Sequence, residues 1–181
     1  GLGAYGSALL CTRYGVPPLA ALALATAAVS LLAFAVGRPI LRLKGHYLAM
    51  ATLGMGVIVS IVLANEDRVT GGPDGMPVPP LTVFGHALQG EQVWYWLVGA
   101  CLLVAVWLAL NLIDSPAGRA LRALHGSEVA AEVVGIDSAR RKLEVFVLSA
   151  AFAALAGGLT AFYSGFITPA KASFLHSVEL V

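Results

Sequence analysis

The charged residues of this chain are concentrated in residues 114–142, which lie between two long apolar runs. Five of its eleven Lys and Arg residues are here: Arg119, Arg122, Arg140, Arg141 and Lys142. At the centre of the segment, Ser127 can cap a short helix through Val134, and Gly135 can end it. A helix of about two turns is too short to be stable alone in water. The chemistry that the segment predicts is therefore recognition, in which a small helix inserts into a groove on a partner protein.

Two more helices are predicted on either side of this short helix. Asp114-Ser115-Pro116 is typical of a helix start, because a capping side chain precedes Pro at the first helical position. Leu121 and Leu124 then lie on one face, and we expect Gly126 to end the helix in a left-handed conformation. Asp137-Ser138 predicts the start of the next helix, which enters the following apolar run.

Residues for other kinds of chemistry are missing from the sequence. No Ser/His/Asp or metal-ligand constellation occurs at a common depth, so we expect neither an enzyme nor a metal site. Cys11 and Cys101 are far apart and have no metal or redox spacing. Gly54-Met55-Gly56 has no strand before it and is no nucleotide site. It predicts close helix packing or a local break in a helix, and no cofactor is expected on this chain.

The composition is that of a membrane protein. The chain is 59% hydrophobic and 12% charged, with a mean hydropathy of +0.85, whereas soluble domains average roughly 25% charged residues. A net charge of +1 without a basic face argues against nucleic acid as a partner.

Four apolar runs are long enough to cross a bilayer, which takes ~20 residues. They are residues 17–36, 46–64, 93–113 and 143–167. Residues 1–11 are expected to be the tail of an earlier span, so we interpret the chain as a fragment of a longer protein. The predicted fold is an all-α polytopic helix bundle, a single transmembrane domain over 1–181 with about four complete spans.

The orientation follows from the loops. The loops 37–45 and 114–142 carry most of the basic residues, whereas 65–92 holds only Arg68 against four acids. The positive-inside rule therefore places 114–142 in the cytoplasm and 65–92 outside. The Pro- and Gly-rich external loop is long for a connector and is a candidate gate or docking site.

The interior of the spans favours some transport mechanisms over others. No Asp, Glu, Lys or Arg lies in the middle of a span, which weakens a proton- or ion-driven carrier. A permease energised by another subunit fits better. The fourth span carries small residues every four positions, which predicts close packing against a neighbouring helix. These are Ala150, Ala154 and Gly158, and Ala153, Gly157, Ala161 and Gly165.

Several stretches resemble a known family. Ala130-Ala131-x-x-x-Gly135, preceded by Glu128, is similar to the coupling-loop motif of ATP-binding-cassette importer permeases, without its downstream apolar-Pro element. The whole chain resembles the branched-chain amino acid permeases, in particular their M-type (LivM-type) subunit. The stretches that carry the likeness are GLGAYGSALL (1–10), LRLKGHYLAMATLG (41–54), TGGPDGM (70–76), GRALRALHGSEVAAEVVGID (118–137) and SAAFAALAGGLTAFYSGFITP (149–169). Relative to the family, the first and last spans are lacking.

The resemblance implies a role for each segment. The loop 114–142 would be the coupling loop, with these residues in or beside the groove of an ATPase: Arg119, Arg122, Glu128, Ala130, Ala131, Glu132 and Gly135. Residues lining or adjoining the translocation path would be Gly45, Tyr47, Thr52, Gly54 and Gly56. Residues at the external face would be Thr70, Gly71, Gly72 and Gly75.

The resemblance also implies partners and a function. It implies a permease subunit that imports Leu, Ile and Val across a bacterial inner membrane. Its partners would be a second permease subunit, cytosolic ATPases that bind the ATP, and a periplasmic binding protein. Three alternatives stay open: a sister permease for urea or short amides, an ATP-independent channel or carrier, and a membrane scaffold or sensor that transports nothing.

Overall fold

The computed structural model describes residues 1–41, 43, 46–65, 75–83, 86–87 and 90–168. Seven helices occur in these ranges: α1 (Leu2–Tyr14), α2 (Pro18–Ile40), α3 (His46–Asn65), α4 (Glu91–Asp114), α5 (Pro116–Gly126), α6 (Glu128–Val133) and α7 (Ser138–Ser164). Four two-residue strands accompany them: β1 (Met76–Pro77), β2 (Thr82–Val83), β3 (His86–Ala87) and β4 (Phe166–Ile167).

The four predicted spans are confirmed as helices. α2, α3, α4 and α7 are long and apolar enough to cross a membrane, so the chain is a polytopic helical protein. α7 begins at Ser138, before the apolar run itself. Its first turns hold the charged residues Arg140, Arg141 and Glu144, and the two arginines pair with Glu144 at 3.3 and 2.8 Å.

Capping residues set the helix starts as predicted. The Ser115 side chain accepts from the Gly118 N–H, Ser127 from the Ala130 N–H and Asp137 from the Arg140 N–H. The expectation for Gly126 was wrong: α5 includes it, and it is not among the glycines with positive φ. Ser127 ends α5 because its backbone is extended, with φ −161° and ψ 117°, and the same residue caps the start of α6.

The packed centre of the bundle consists of α1, α2 and α7. The small residues of α7 allow this contact, as predicted. Gly3 of α1 lies so close to Ala154 that a Cβ on Gly3 would overlap its backbone. A Cβ on Gly158 would meet the Leu22 side chain of α2. Gly165 has another role, because it ends α7 with φ 63°.

α3 and α4 lie at the margin of this bundle. α3 is continuous from His46 to Asn65, so the break considered at Gly54-Met55-Gly56 does not occur. Nothing in the described part of the chain comes within 4 Å of a Cβ built on Gly54. No residue in the most apolar stretch of α4 is buried, which leaves that surface for lipid or for other protein segments.

Residues 75–81 pack against the end of the bundle where α7 finishes. β1 pairs antiparallel with β4, and the Val78 N–H donates to the Gly165 carbonyl at 2.9 Å. Val78 and Leu81 are 5% and 1% exposed and belong to the same buried cluster as Ile167. The described part of the predicted external loop is therefore packed against the end of α7.

Replacing Gly3 with Ala should destabilise the protein, because α1 and α7 would have to separate. Overpacking of this kind costs about 1–3 kcal/mol, so the melting temperature of the detergent-solubilised protein should fall. Gly54→Ala is the matched control and should not lower it, because that position is open and Ala is the better helix former. Equal melting temperatures for the two variants would contradict the close approach of α1 and α7.

Candidate functional site

The two basic loops lie at one end of the bundle. Gly37, in the last turns of α2, packs against Leu143 and Phe146 in the first turns of α7. Arg38 and Arg140 both line a cavity of about 820 Å³ at this end of the bundle. Gly75 of the acidic loop is instead in contact with Ile167, beyond the other end of α7. The ends of the bundle thus carry the alternating loops that the charge pattern predicts.

α6 is a single short helix closed at both ends. Ser127 Oγ accepts from the Ala130 N–H at 3.2 Å. At the other end the Ile136 N–H donates to the Ala131 carbonyl at 3.0 Å, and Gly135 has φ 90°. A left-handed residue after a helix, followed by a hydrogen bond back into its last turn, is a common way to satisfy helix-end carbonyls. The predicted short helix and its end at Gly135 are confirmed.

Three valines dominate the exposed surface of α6 and of the turn after it, beside the exposed Glu132. Val129, Val133 and Val134 are 70%, 83% and 80% exposed. Ala130 is also exposed, but Ala131 is only 4% exposed and packs within this chain. A partner that touches this segment from outside therefore meets three valines, whereas Ala131 supports the helix from beneath.

A side-chain hydrogen bond ties α6 to the start of α7. Ser138 Oγ donates to Glu132 Oε1 at 2.6 Å, and Ser138 is buried. Bonds to an ionised carboxylate are stronger than bonds between neutral groups. The bond connects α6 directly to the first residue of α7. The side chain of Glu128 lies outside the described part of the structure.

Arg119 and Arg122 project back from α5 to the end of α4. Arg119 Nη1 donates to the Asp114 carbonyl at 3.3 Å, and Arg122 Nη2 to the Ile113 carbonyl at 3.2 Å. Both side chains are exposed, so contact with a partner remains open to them. Their contacts in this chain connect two helices.

One residue of the predicted translocation path lines an open pocket between helices. Gly56 borders a space of about 300 Å³ between α1, α2, α3 and α7. Tyr47 is 74% exposed, and Thr52 and Gly54 are also exposed on α3. Gly45 lies outside the described residues.

One residue of the predicted external face is described. Gly75 has φ 76°, and a Cβ there would overlap the Ile167 carbonyl. Glycine thus permits both the turn and the approach of β1 to β4. Thr70, Gly71 and Gly72 lie outside the described residues.

Sequence reasoning missed Ser138 as a partner of Glu132. The two residues are separated by the left-handed turn at Gly135, so helical spacing does not bring them together. It also did not separate the four small apolar residues of α6 into buried and exposed positions. Side-chain size gives no sufficient signal, because Ala130 is exposed whereas the neighbouring Ala131 is buried.

Comparisons with known proteins agree with one another. A family model described as "Branched-chain amino acid transport system / permease component" matches residues 1–180. The proteins named "High-affinity branched-chain amino acid transport system permease protein LivM" from Salmonella typhimurium and Escherichia coli K12 are each 36% identical over 97% of this chain and 47% of their own length. A "Probable branched-chain amino acid transport permease protein LivM" from Methanocaldococcus jannaschii is 26% identical over 79% of this chain and 43% of its own. The chain spans about half the length of these relatives. No solved structure matches it.

Removing the Ser138 hydroxyl should loosen α6. Ser138→Ala deletes a hydrogen bond to a carboxylate, which typically contributes about 1.5–3 kcal/mol. Backbone amides of residues 128–133 should then exchange with deuterium roughly tenfold faster or more. Ser30→Ala is the control, because Ser30 Oγ bonds within α2, to the Thr26 carbonyl at 2.8 Å. Unchanged exchange in α6 would show that Ser138 does not hold it.

Proposed function

The chain belongs to the branched-chain amino acid transport permease family, and on that premise we propose that it is part of the permease of an ATP-binding-cassette importer. The importer would move Leu, Ile and Val into a bacterial cell through the inner membrane. ATP would be bound and hydrolysed by cytosolic partner subunits. A second permease subunit and a periplasmic binding protein would complete the assembly.

The observation that carries the proposal is the valine surface, defined here as the side chains of Val129, Val133 and Val134. These side chains, on the six-residue α6 and the residue after it, are 70–83% exposed, so they contribute little to packing in the described part of the chain. Clustered exposed apolar groups mark interaction sites, and a helix in a groove is a common recognition mode. An ATPase groove on the cytoplasmic side would bury the valines and stabilise the helix.

The contacts of α6 suggest how ATP would act on the spans. Closure of the two ATPases would displace α6, and the Glu132–Ser138 bond would pass the displacement to α7. α7 packs on α1 and α2, and β4 follows directly at its far end and pairs with β1. A rigid α7 would therefore link the cytoplasmic event to the external loop.

Substrate choice is the least constrained part of the proposal. The spans carry no charged residue at mid-membrane, so a zwitterionic amino acid would be held by backbone groups and polar side chains. A sister permease for urea or short amides is the alternative within the same class. Uptake of labelled leucine by the assembled transporter, challenged with excess urea or isoleucine, separates the two.

Replacing Val133 with Arg should weaken association with the ATPase subunits. The side chain is 83% exposed, so the change leaves the helix itself intact. A charge in the centre of an apolar docking surface should cost about 2 kcal/mol or more, which is over tenfold in affinity. Co-purification of the ATPases with the full-length permease from mild detergent would measure this.

Two comparison variants make the result specific. Gln92→Arg adds the same charge to an exposed residue at the opposite end of the bundle and should retain the ATPases. Ala131→Arg would lose them for a different reason, since Ala131 is buried and an arginine there would unfold α6. ATPase retained at the wild-type level by Val133→Arg would remove the main support for coupling through α6.

A further inference from the structure

The end of α4 is held by several hydrogen bonds where it meets α5. α4 ends at Asp114 and α5 begins at Pro116, so Ser115 alone separates them. The last carbonyls of a helix lack partners within it. Three of these carbonyls, on Leu112, Ile113 and Asp114, accept hydrogen bonds from the segment that follows.

Two different kinds of donor make these bonds. Ser115 binds Leu112 twice, through Oγ at 2.6 Å and through its backbone N–H at 3.2 Å. Arg122 and Arg119 reach Ile113 and Asp114 with their guanidinium groups at 3.2 and 3.3 Å. Two positive charges at the C-terminal end of α4 also complement the negative pole of its helix dipole.

Gly118 allows α5 to come this close to α4. It is buried, and a Cβ built on it would overlap the Ile113 carbonyl and come within 2.5 Å of the Ile113 carbonyl carbon. The pattern Ser115-x-x-Gly118-Arg119-x-x-Arg122 thus places all four residues on the side of α5 that contacts α4. We refer to these four residues as the elbow.

The elbow attaches one end of α4 to α5, and near its other end the buried Trp94 packs edge-on against Tyr163 of α7 at 5.4 Å. α4 has no buried residue in its most apolar stretch, and its contacts with the central helices are few. α5 in turn packs on α6, which carries the valine surface. A movement of α6 can therefore reach α4 through α5 if the junction does not bend.

We propose that Arg119 and Arg122 are positioning residues that make α4 and α5 one rigid unit, so that a displacement of α6 moves α4 relative to α1, α2 and α7. The proposal rests on the proposed function and gives these arginines a second task besides any contact with an ATPase. They act through the α4 carbonyls. Without them the helix end would be solvated, and α5 could swing while α4 stayed in place.

The first test is the coupling ratio of the complete transporter in proteoliposomes. Arg122→Gln should leave the ATPase subunits bound but lower the amino acid imported per ATP hydrolysed by about fivefold or more, the lower range of coupling effects. Arg122→Lys keeps a cationic donor and should restore part of the ratio. Arg140→Gln is the matched control, because Arg140 pairs with Glu144 on α7 and is 72% exposed. It should leave the ratio within twofold of the wild type.

The outcomes separate this inference from the proposed function. Loss of the ATPases in Arg122→Gln would assign the arginine to docking and overturn the elbow. A normal ratio with the ATPases bound would also overturn it, while leaving coupling through α6 untouched. If Val133→Arg instead retains the ATPases, the proposed coupling through α6 fails, independently of the elbow.

A second measurement works without altering the arginines. Spin labels at Trp107→Cys in α4 and Ala123→Cys in α5, both exposed positions, report the distance across the elbow. It should be the same in nucleotide-free and ATP-bound transporters. The distance from Trp107→Cys to Leu31→Cys in α2 should change between the two states. A change across the elbow, or none between α4 and α2, would refute the rigid unit.

Discussion

The direct contact of the α1 and α7 backbones at Gly3 and Ala154 is the constraint on which the rest of the structure depends. In lipid, the burial of apolar surface does not drive helices to associate, so close van der Waals packing must provide the driving force. Small residues on α7 bring α1 against it, and α2 follows through Leu22 over Gly158. Once these three helices are fixed, both ends of α7 are fixed as well, and α6 and the β1–β4 pair are built on those ends.

The two ends of α7 use different interactions for the same purpose. At the end that carries α6, water competes for every hydrogen bond, and the short helix is held by a serine, a carboxylate and a buried alanine. At the other end, backbone pairing between β1 and β4 and the burial of Val78 and Leu81 replace side-chain bonds. The long helix between them has no charged residue in its apolar part, and it joins the two ends as one continuous element.

Much of this fold follows from local signals in the sequence. Apolar length predicts the four spans, and Ser115, Ser127 and Asp137 predict helix starts, because each cap involves residues no more than three positions apart. The small-residue pattern of α7 predicts close packing, but not that α1 and α2 are its partners. The candidate site is harder to predict from sequence. The burial of Ala131, the bond from Ser138 to Glu132 and the bonds from the α5 arginines to α4 all depend on how neighbouring helices are oriented relative to one another. Gly126 shows the limit of a local rule, since the extended backbone of Ser127 ends α5 without it.

The pairing of β1 with β4 has a consequence for biogenesis. β1 precedes α4, whereas β4 follows α7, so every helix from α4 to α7 is synthesised between the two strands. The pair cannot form until the ribosome has delivered α7 and the helix has crossed the bilayer in the correct direction. A chain with one inverted or missing helix would leave the two strands on opposite sides of the membrane. The β1–β4 pair can therefore form only after both α4 and α7 have been inserted.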